Sequence, residues 1–149
     1  MRTPASIARH PIHPMLVPLP IGLWIFALVA DLIHAGGSTN AAWTTVAFYC
    51  IGGGIVGALL AALPGLIDLL SLPQGPRKTA LLHMTINLIV VGLFAINFWM
   101  RMDAPANPGK LVWLSLIAVG LLAISGWLGG KMVYEHGIAV DTPPDAIRR

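Results

Sequence analysis

The sequence predicts an all-α fold, an integral membrane four-helix bundle with both chain ends on one side. Three observations predict it: four apolar stretches long enough to cross a bilayer, strong helix breakers between them, and very little charge. Hydrophobic residues make up 56% of the chain and charged residues 10%, with a mean hydropathy of +0.79. Nine Lys and Arg and six Asp and Glu cannot cover a water-exposed surface for 149 residues, whereas lipid requires an apolar exterior.

A helix rises 1.5 Å per residue, so roughly 20 apolar residues cross a hydrocarbon core of about 30 Å. The first span is read at Met15 to Ala35. Pro18 and Pro20 fall in its first turns, where a missing backbone donor costs least. It is too long for the apolar part of a signal peptide, and Ile33-His34-Ala35 lacks the small residue a cleavage site needs, so it is expected to be retained. After Gly36, Gly37, Ser38 and Asn40, the second span runs from Trp43 to Leu63 and on to about Leu72, with a kink expected near Pro64. Pro73, Gln74, Gly75 and Pro76 separate it from the third span, Leu81 to Met100. Pro105, Asn107, Pro108 and Gly109 precede the fourth, Leu111 to Val133. The tail from Asp141 to Arg149 reads as a short disordered end. One transmembrane domain accounts for the whole chain.

Charge gives the orientation. Arg2, Arg9, Arg77, Lys78, Lys131, Arg148 and Arg149 fall on the side shared by the termini, and only Arg101 and Lys110 on the other. The positive-inside rule then puts both termini in the cytoplasm of a cell whose inner membrane holds the protein. Trp43, Trp99 and Trp113 sit at the outer ends of spans, where indole rings favour the headgroup region. The net charge of +3 is spread in ones and twos at span ends, so nucleic acid is not an expected partner; the bilayer is. The single cysteine, Cys50, lies in an apolar run and reads as a small buried filler.

Helices in lipid associate by close backbone approach, which small residues permit. Gly53, Gly57, Ala61 and Gly65, the parallel row Gly54, Ala58 and Ala62, and Gly126 with Gly130 are expected contact faces, within the bundle or at a homodimer seam.

Ionisable groups at membrane depth are expensive and therefore candidates for function. Most gather at the cytoplasmic end: His10 and His13 in HPIHP, Asp68 after Pro64, His83 at the start of span three, and Tyr134, Glu135 and His136 after span four. Positions 83, 87, 90, 94 and 97 step by four and three, which places His83, Asn87, Val90, Phe94 and Asn97 on one inward stripe. A transition metal at His10, His13, His83 and His136, with Asp68 completing the shell, is one reading. Non-covalent haem b is another, with His83 and His136 or His13 as axial ligands and Arg77, Lys78 and Lys131 on the propionates; no CxxCH attachment motif occurs. A quinone at the same mouth would need only a His and an Asp or Tyr. The proline after each histidine disfavours a rigid helical HxxH and favours an extended or turn conformation. At the other end, Asp31 and His34 stand near the level of Arg101, as an ion pair fastening spans one and three or as an outward proton site. No nucleotide-binding, serine-hydrolase or zincin motif occurs, so nothing identifies an enzyme.

The stretches ASIARHPIHPMLVPLPIG with Asp31, LPGLIDLL, LLHMTINL and GWLGGKMVYEHGIAV cover nearly the whole chain. In them it resembles the bacterial membrane family catalogued as domain of unknown function 2231. The resemblance implies four membrane helices and, because some members look linked to Rieske-type iron-sulfur modules, a redox partner subunit. It also implies that His13, Asp68, His83, Asn87, Tyr134 and His136 are recurrent polar positions, with Gly129, Gly130 and Gly137 as recurrent glycines. Many members carry His in a VHFP run where this chain has Val17-Pro18-Leu19-Pro20, which removes one ligand position. The expected function is a redox-associated haem- or metal-binding membrane subunit. A structural subunit and a small proton-coupled transporter using Asp68 and His83 are the competing expectations.

Overall fold

A computed structural model describes residues 3–103 and 111–140. The breakers at Pro105 to Gly109 and the tail from Asp141 lie outside the described residues, as do Arg2, Lys110, Arg148 and Arg149. The chain begins with a small antiparallel hairpin, β1 (Ser6–Ile7) and β2 (His10–Pro11), in which Ser6 pairs with Pro11 and Ile7 with His10. Five helices follow: α1 (Ile12–Leu16), α2 (Pro18–Ala35), α3 (Ala42–Ser71), α4 (Gln74–Asp103) and α5 (Leu111–His136). Four helical stretches, 24 to 30 residues long with α1 and α2 counted together, are long and apolar enough to cross a membrane.

Two helix starts differ from the sequence reading, and α4 and α5 each run three residues past its ends, to Asp103 and His136. Helix α4 starts at Gln74, because Gly75 and Pro76 occupy its first turn, where no backbone N–H is owed to the helix; only Leu72 and Pro73 separate it from α3. His13 is helical, although Pro14 follows it, for the same first-turn reason, while His10 is extended as expected. Helix α3 continues through Pro64 to Ser71. Helix α2 closes with Gly37 at a φ of 107°, its N–H bonding the His34 carbonyl and the next N–H, of Ser38, reaching back to Ile33. That is a Schellman ending, which a residue with a Cβ adopts poorly.

Helix α2 packs on α3, α3 on α4, α4 on α5 and α5 on α2, each pair antiparallel, so the four long helices close a ring around one core. Trp24, Ala27 and Ala30 of α2 meet Ala47 and Ile51 of α3, Val90 and Phe94 of α4, and Ala118 and Leu122 of α5 there. The Trp24 and Phe94 rings stack across the diagonal of the ring, 4.5 Å apart and 11° from parallel. Gly54 makes this geometry accessible: a Cβ there would lie 2.3 Å from Trp24 Nε1. That indole N–H donates to the Ile51 carbonyl at 3.3 Å. Gly57 faces Leu19 and Pro20, and Gly53 faces Leu23, so the small residues of α3 form contact faces as expected. The α5 pair does not pack within the bundle: Gly126 and Gly130 have nothing within 4 Å of an added Cβ, and it is Gly129 that faces a neighbour, His83. Large apolar side chains cover the outside, among them Leu59, Leu63, Leu88, Ile117, Trp99, Trp113 and Trp127.

Candidate functional site

The stripe read along the third span faces inward: Val90, Phe94 and Asn97 are buried, and His83 and Asn87 half-buried. It links two polar clusters at opposite ends of the core, which the apolar layer of Trp24, Ile51, Val90, Phe94 and Leu122 separates.

At the end away from the hairpin, Arg101 of α4 grips Asp31 of α2 with two bonds, Nη1 to Oδ1 at 2.8 Å and Nη2 to Oδ2 at 2.6 Å. Arg101 Nε donates to Asn97 Oδ1 at 2.7 Å. Asn97 Nδ2 in turn donates to Ser115 Oγ at 2.9 Å and to the Leu111 carbonyl at 3.2 Å. Asp31 is 0% and Arg101 1% exposed. The expected ion pair between the first and third spans is therefore present, as a buried, bidentate network that also reaches α5. His34 takes no part in it, and its Nδ1 is buried without a hydrogen bond.

At the hairpin end the structure brings together two of the predicted histidines. His13 Nδ1 lies 2.7 Å from the carbonyl oxygen of Ala61 on α3. Pro64 supplies no N–H to the Leu60 carbonyl, which loosens the α3 ladder beside that acceptor. Gly65 gives the ring its seat, since a Cβ there would come within 2.7 Å of His13 Nδ1. His83 Nδ1 lies 2.8 Å from the Ser125 carbonyl oxygen and 2.9 Å from Ser125 Oγ, both on α5. Its Nε2 lies 3.0 Å from Asn87 Nδ2, one turn deeper on the same helix. A carbonyl can only accept, so each ring carries a proton on Nδ1 and donates it to backbone. The two rings stand 6.4 Å apart between centres and nearly perpendicular, at 86°.

The other candidates are placed differently. His10 is exposed at the hairpin, its Nδ1 2.9 Å from the carbonyl oxygen of Ala8. Asp68 Oδ1 accepts the Ala5 N–H at 2.9 Å. Tyr134 is 92% exposed on the outside of α5, and His136 is half-buried at the last residue of that helix. Among the described residues no three His, Cys, Asp or Glu side chains are grouped so as to hold a metal ion, so the four-histidine shell with Asp68 is not assembled. Sequence reasoning missed Ser115 and Ser125, the α5 partners of both clusters. A signal was present: residues 115, 118, 122 and 125 step by three, four and three, and all four are buried.

Residues 9–142 match the family model described as predicted membrane protein, DUF2231. The chain belongs to that family. All four long helices and both clusters fall inside the matched DUF2231 region, and of the hairpin only its first residues precede it. No curated protein and no solved structure matches the chain.

Proposed function

We propose that this DUF2231 protein is a membrane-embedded subunit that holds a redox-active group, most simply the iron of a non-covalent haem, between His13 and His83. The observation that carries the reading is that both imidazoles, on different helices, have Nδ1 tied to a backbone carbonyl. That is the outer-shell arrangement that orients a metal-ligating histidine and leaves Nε2 as the donor atom. His13 and His83, on different helices with ring centres 6.4 Å apart, would be the two residues to hold such a group. A metal ion enclosed wholly by protein side chains fits poorly, because the third and fourth ligands are missing among the described residues. A group that asks only two side-chain donors of the protein would be held by His13 and His83. Such a group supplies one-electron transfer when bound. The chain supplies the two donors and, through Ala61 and Ser125, their orientation; Asn87 must swing off His83 Nε2 for the ligand to bind.

The membrane placement supports the same reading. Arg9, Arg77, Lys78 and Lys131 stand at the hairpin end, whereas among the described residues the other end has Arg101, buried against Asp31, and in the sequence Lys110. We infer cytoplasmic termini in an inner membrane, with an electron-transfer partner on the cytoplasmic side. Transport along the bundle axis is less well supported, since the buried Trp24–Phe94 stack lies between the two polar ends.

The test is an absorbance spectrum and a metal analysis of the detergent-purified protein from cells supplied with haem precursor. A Soret band that shifts on dithionite reduction, at about one haem per chain, and that His13→Ala and His83→Ala each remove, is expected. Protein that stays colourless after reconstitution with haem overturns the reading and favours a structural subunit whose polar groups only join helices.

A further inference from the structure

We propose that Asp68 is a positioning residue for His13: its carboxylate fixes the N-terminal hairpin and, through it, the place of the imidazole. The functional meaning of this rests on the reading of His13 and His83 as a ligand pair; its structural content rests on hydrogen bonds alone.

The links run in sequence. Asp68 Oδ1, on α3, accepts the Ala5 N–H at 2.9 Å, across 63 residues of chain. The Ala5 carbonyl accepts the N–H of Ile12, also at 2.9 Å. Ile12 is the first residue of α1, and His13 is the next. Ala5 thus joins the carboxylate to the start of the helix that carries the imidazole. Ala5 and Asp68 are both buried, and a bond from an N–H to a buried carboxylate is among the stronger hydrogen bonds a protein makes.

The hairpin has little else to hold it. Each strand is two residues long, and an isolated two-stranded hairpin is marginal at best. Its turn residues, Ala8 and Arg9, both adopt positive φ, at 49° and 70°, which costs a residue with a Cβ about 1–2 kcal/mol. Ile7, Ala8, Arg9 and His10 are exposed, so the tip contributes no packing. Among the described residues, three of its contacts lie on a single face of α3, where positions 61, 65 and 68 step by four and three. Ala61 offers the carbonyl to His13, Gly65 the space for its ring, and Asp68 the anchor for the chain that leads to it. His83 is held separately, by Ser125 and Asn87 on α5 and α4. The separation of the two imidazoles is therefore set on one side by a carboxylate that hydrogen-bonds to neither.

The experiment uses the full chain in detergent micelles with no added haem or metal, labelled with ¹⁵N-histidine and followed by NMR and amide exchange. In Asp68→Ala the His13 ring should leave the Nδ1–H tautomer for an averaged one. The Ala5 and Ile12 amides should exchange about tenfold faster or more, as expected on loss of a bond to a charged acceptor. The His83 signals should stay in place. Asp68→Asn, which keeps an acceptor oxygen, should retain the wild-type His13 tautomer. If Asp68→Ala does not fold, Ala5→Pro removes the donor and keeps the carboxylate, and should reproduce the His13 change. An unchanged His13 in the folded variant overturns the proposal. So does a joint change at His13 and His83, which would make Asp68 a general support of the fold. Because no cofactor is needed, a colourless protein whose His13 tautomer still depends on residue 68 sinks the haem reading and leaves the positioning role supported.

Discussion

Arg101 and Asp31, 70 residues apart in the chain, form a two-pronged ion pair across the diagonal of the bundle, with almost no surface exposed on either side chain. Removing one partner leaves the other charge buried alone. Asp31→Ala or Arg101→Ala should each cost about 3–5 kcal/mol in reversible unfolding from mixed micelles. Asp31→Leu combined with Arg101→Met should cost less than either single change, because no charge is then stranded. Its residual penalty comes from Asn97, whose Oδ1 loses the Arg101 Nε–H. Equal costs for the single and double variants would show that the pair contributes packing alone.

Two glycines of similar sequence context should respond oppositely. Gly54→Ala drives a methyl into the Trp24 ring and displaces the stack with Phe94; a loss of about 1–3 kcal/mol is expected, as for overpacking elsewhere. Gly126→Ala meets nothing within 4 Å and should be neutral or stabilise α5 by up to about 1 kcal/mol. Thermal melting of both variants in one detergent gives the comparison.

The bound-group reading separates the histidines. His10→Ala and Tyr134→Phe alter exposed side chains away from the imidazole pair and should leave haem content per chain unchanged. His13→Ala and His83→Ala should each reduce it to background. Pyridine haemochrome assay of the four variants decides the matter, and equal loss at His10 would move the site toward the hairpin.

The hairpin turn is open to improvement. With both central residues at positive φ, replacing Ala8-Arg9 by Asn-Gly fits the backbone already present and should stabilise the segment by about 1 kcal/mol. Slower amide exchange across residues 6–11 would report it; faster exchange would mean that the turn relaxes in solution.

The long-period features of this molecule are written plainly in its sequence. Four apolar runs of bilayer length cannot be mistaken for much else, and the stripe His83, Asn87, Val90, Phe94, Asn97 shows itself because helical spacing puts those residues on one inward face. The Asp31–Arg101 pair was accessible for a similar reason: two opposite charges near the same end of two apolar helices have few other places to go. What could not be read is how backbone atoms serve the site. Nothing in HPIHP says that His13 lies against the Ala61 carbonyl while His10 stays in a solvent-exposed hairpin. The carbonyls of Ala61 and Ser125 carry no sequence signature, and two-residue strands are too short to leave a period. Asp68 reads as a ligand from its chemistry, yet its partner is a backbone N–H that any residue at position 5 other than proline would provide.

The diagonal ion pair also has a consequence for how the protein is made. Asp31 is synthesised 70 residues before Arg101, a delay of about 4–14 s at ordinary rates of synthesis. During that interval the first helical hairpin holds a carboxylate without its counter-charge, so it cannot settle into the arrangement seen in the finished molecule. Its final seating must wait for the third long helix, so the packing of the first two spans is completed late, in whatever order the spans enter the bilayer.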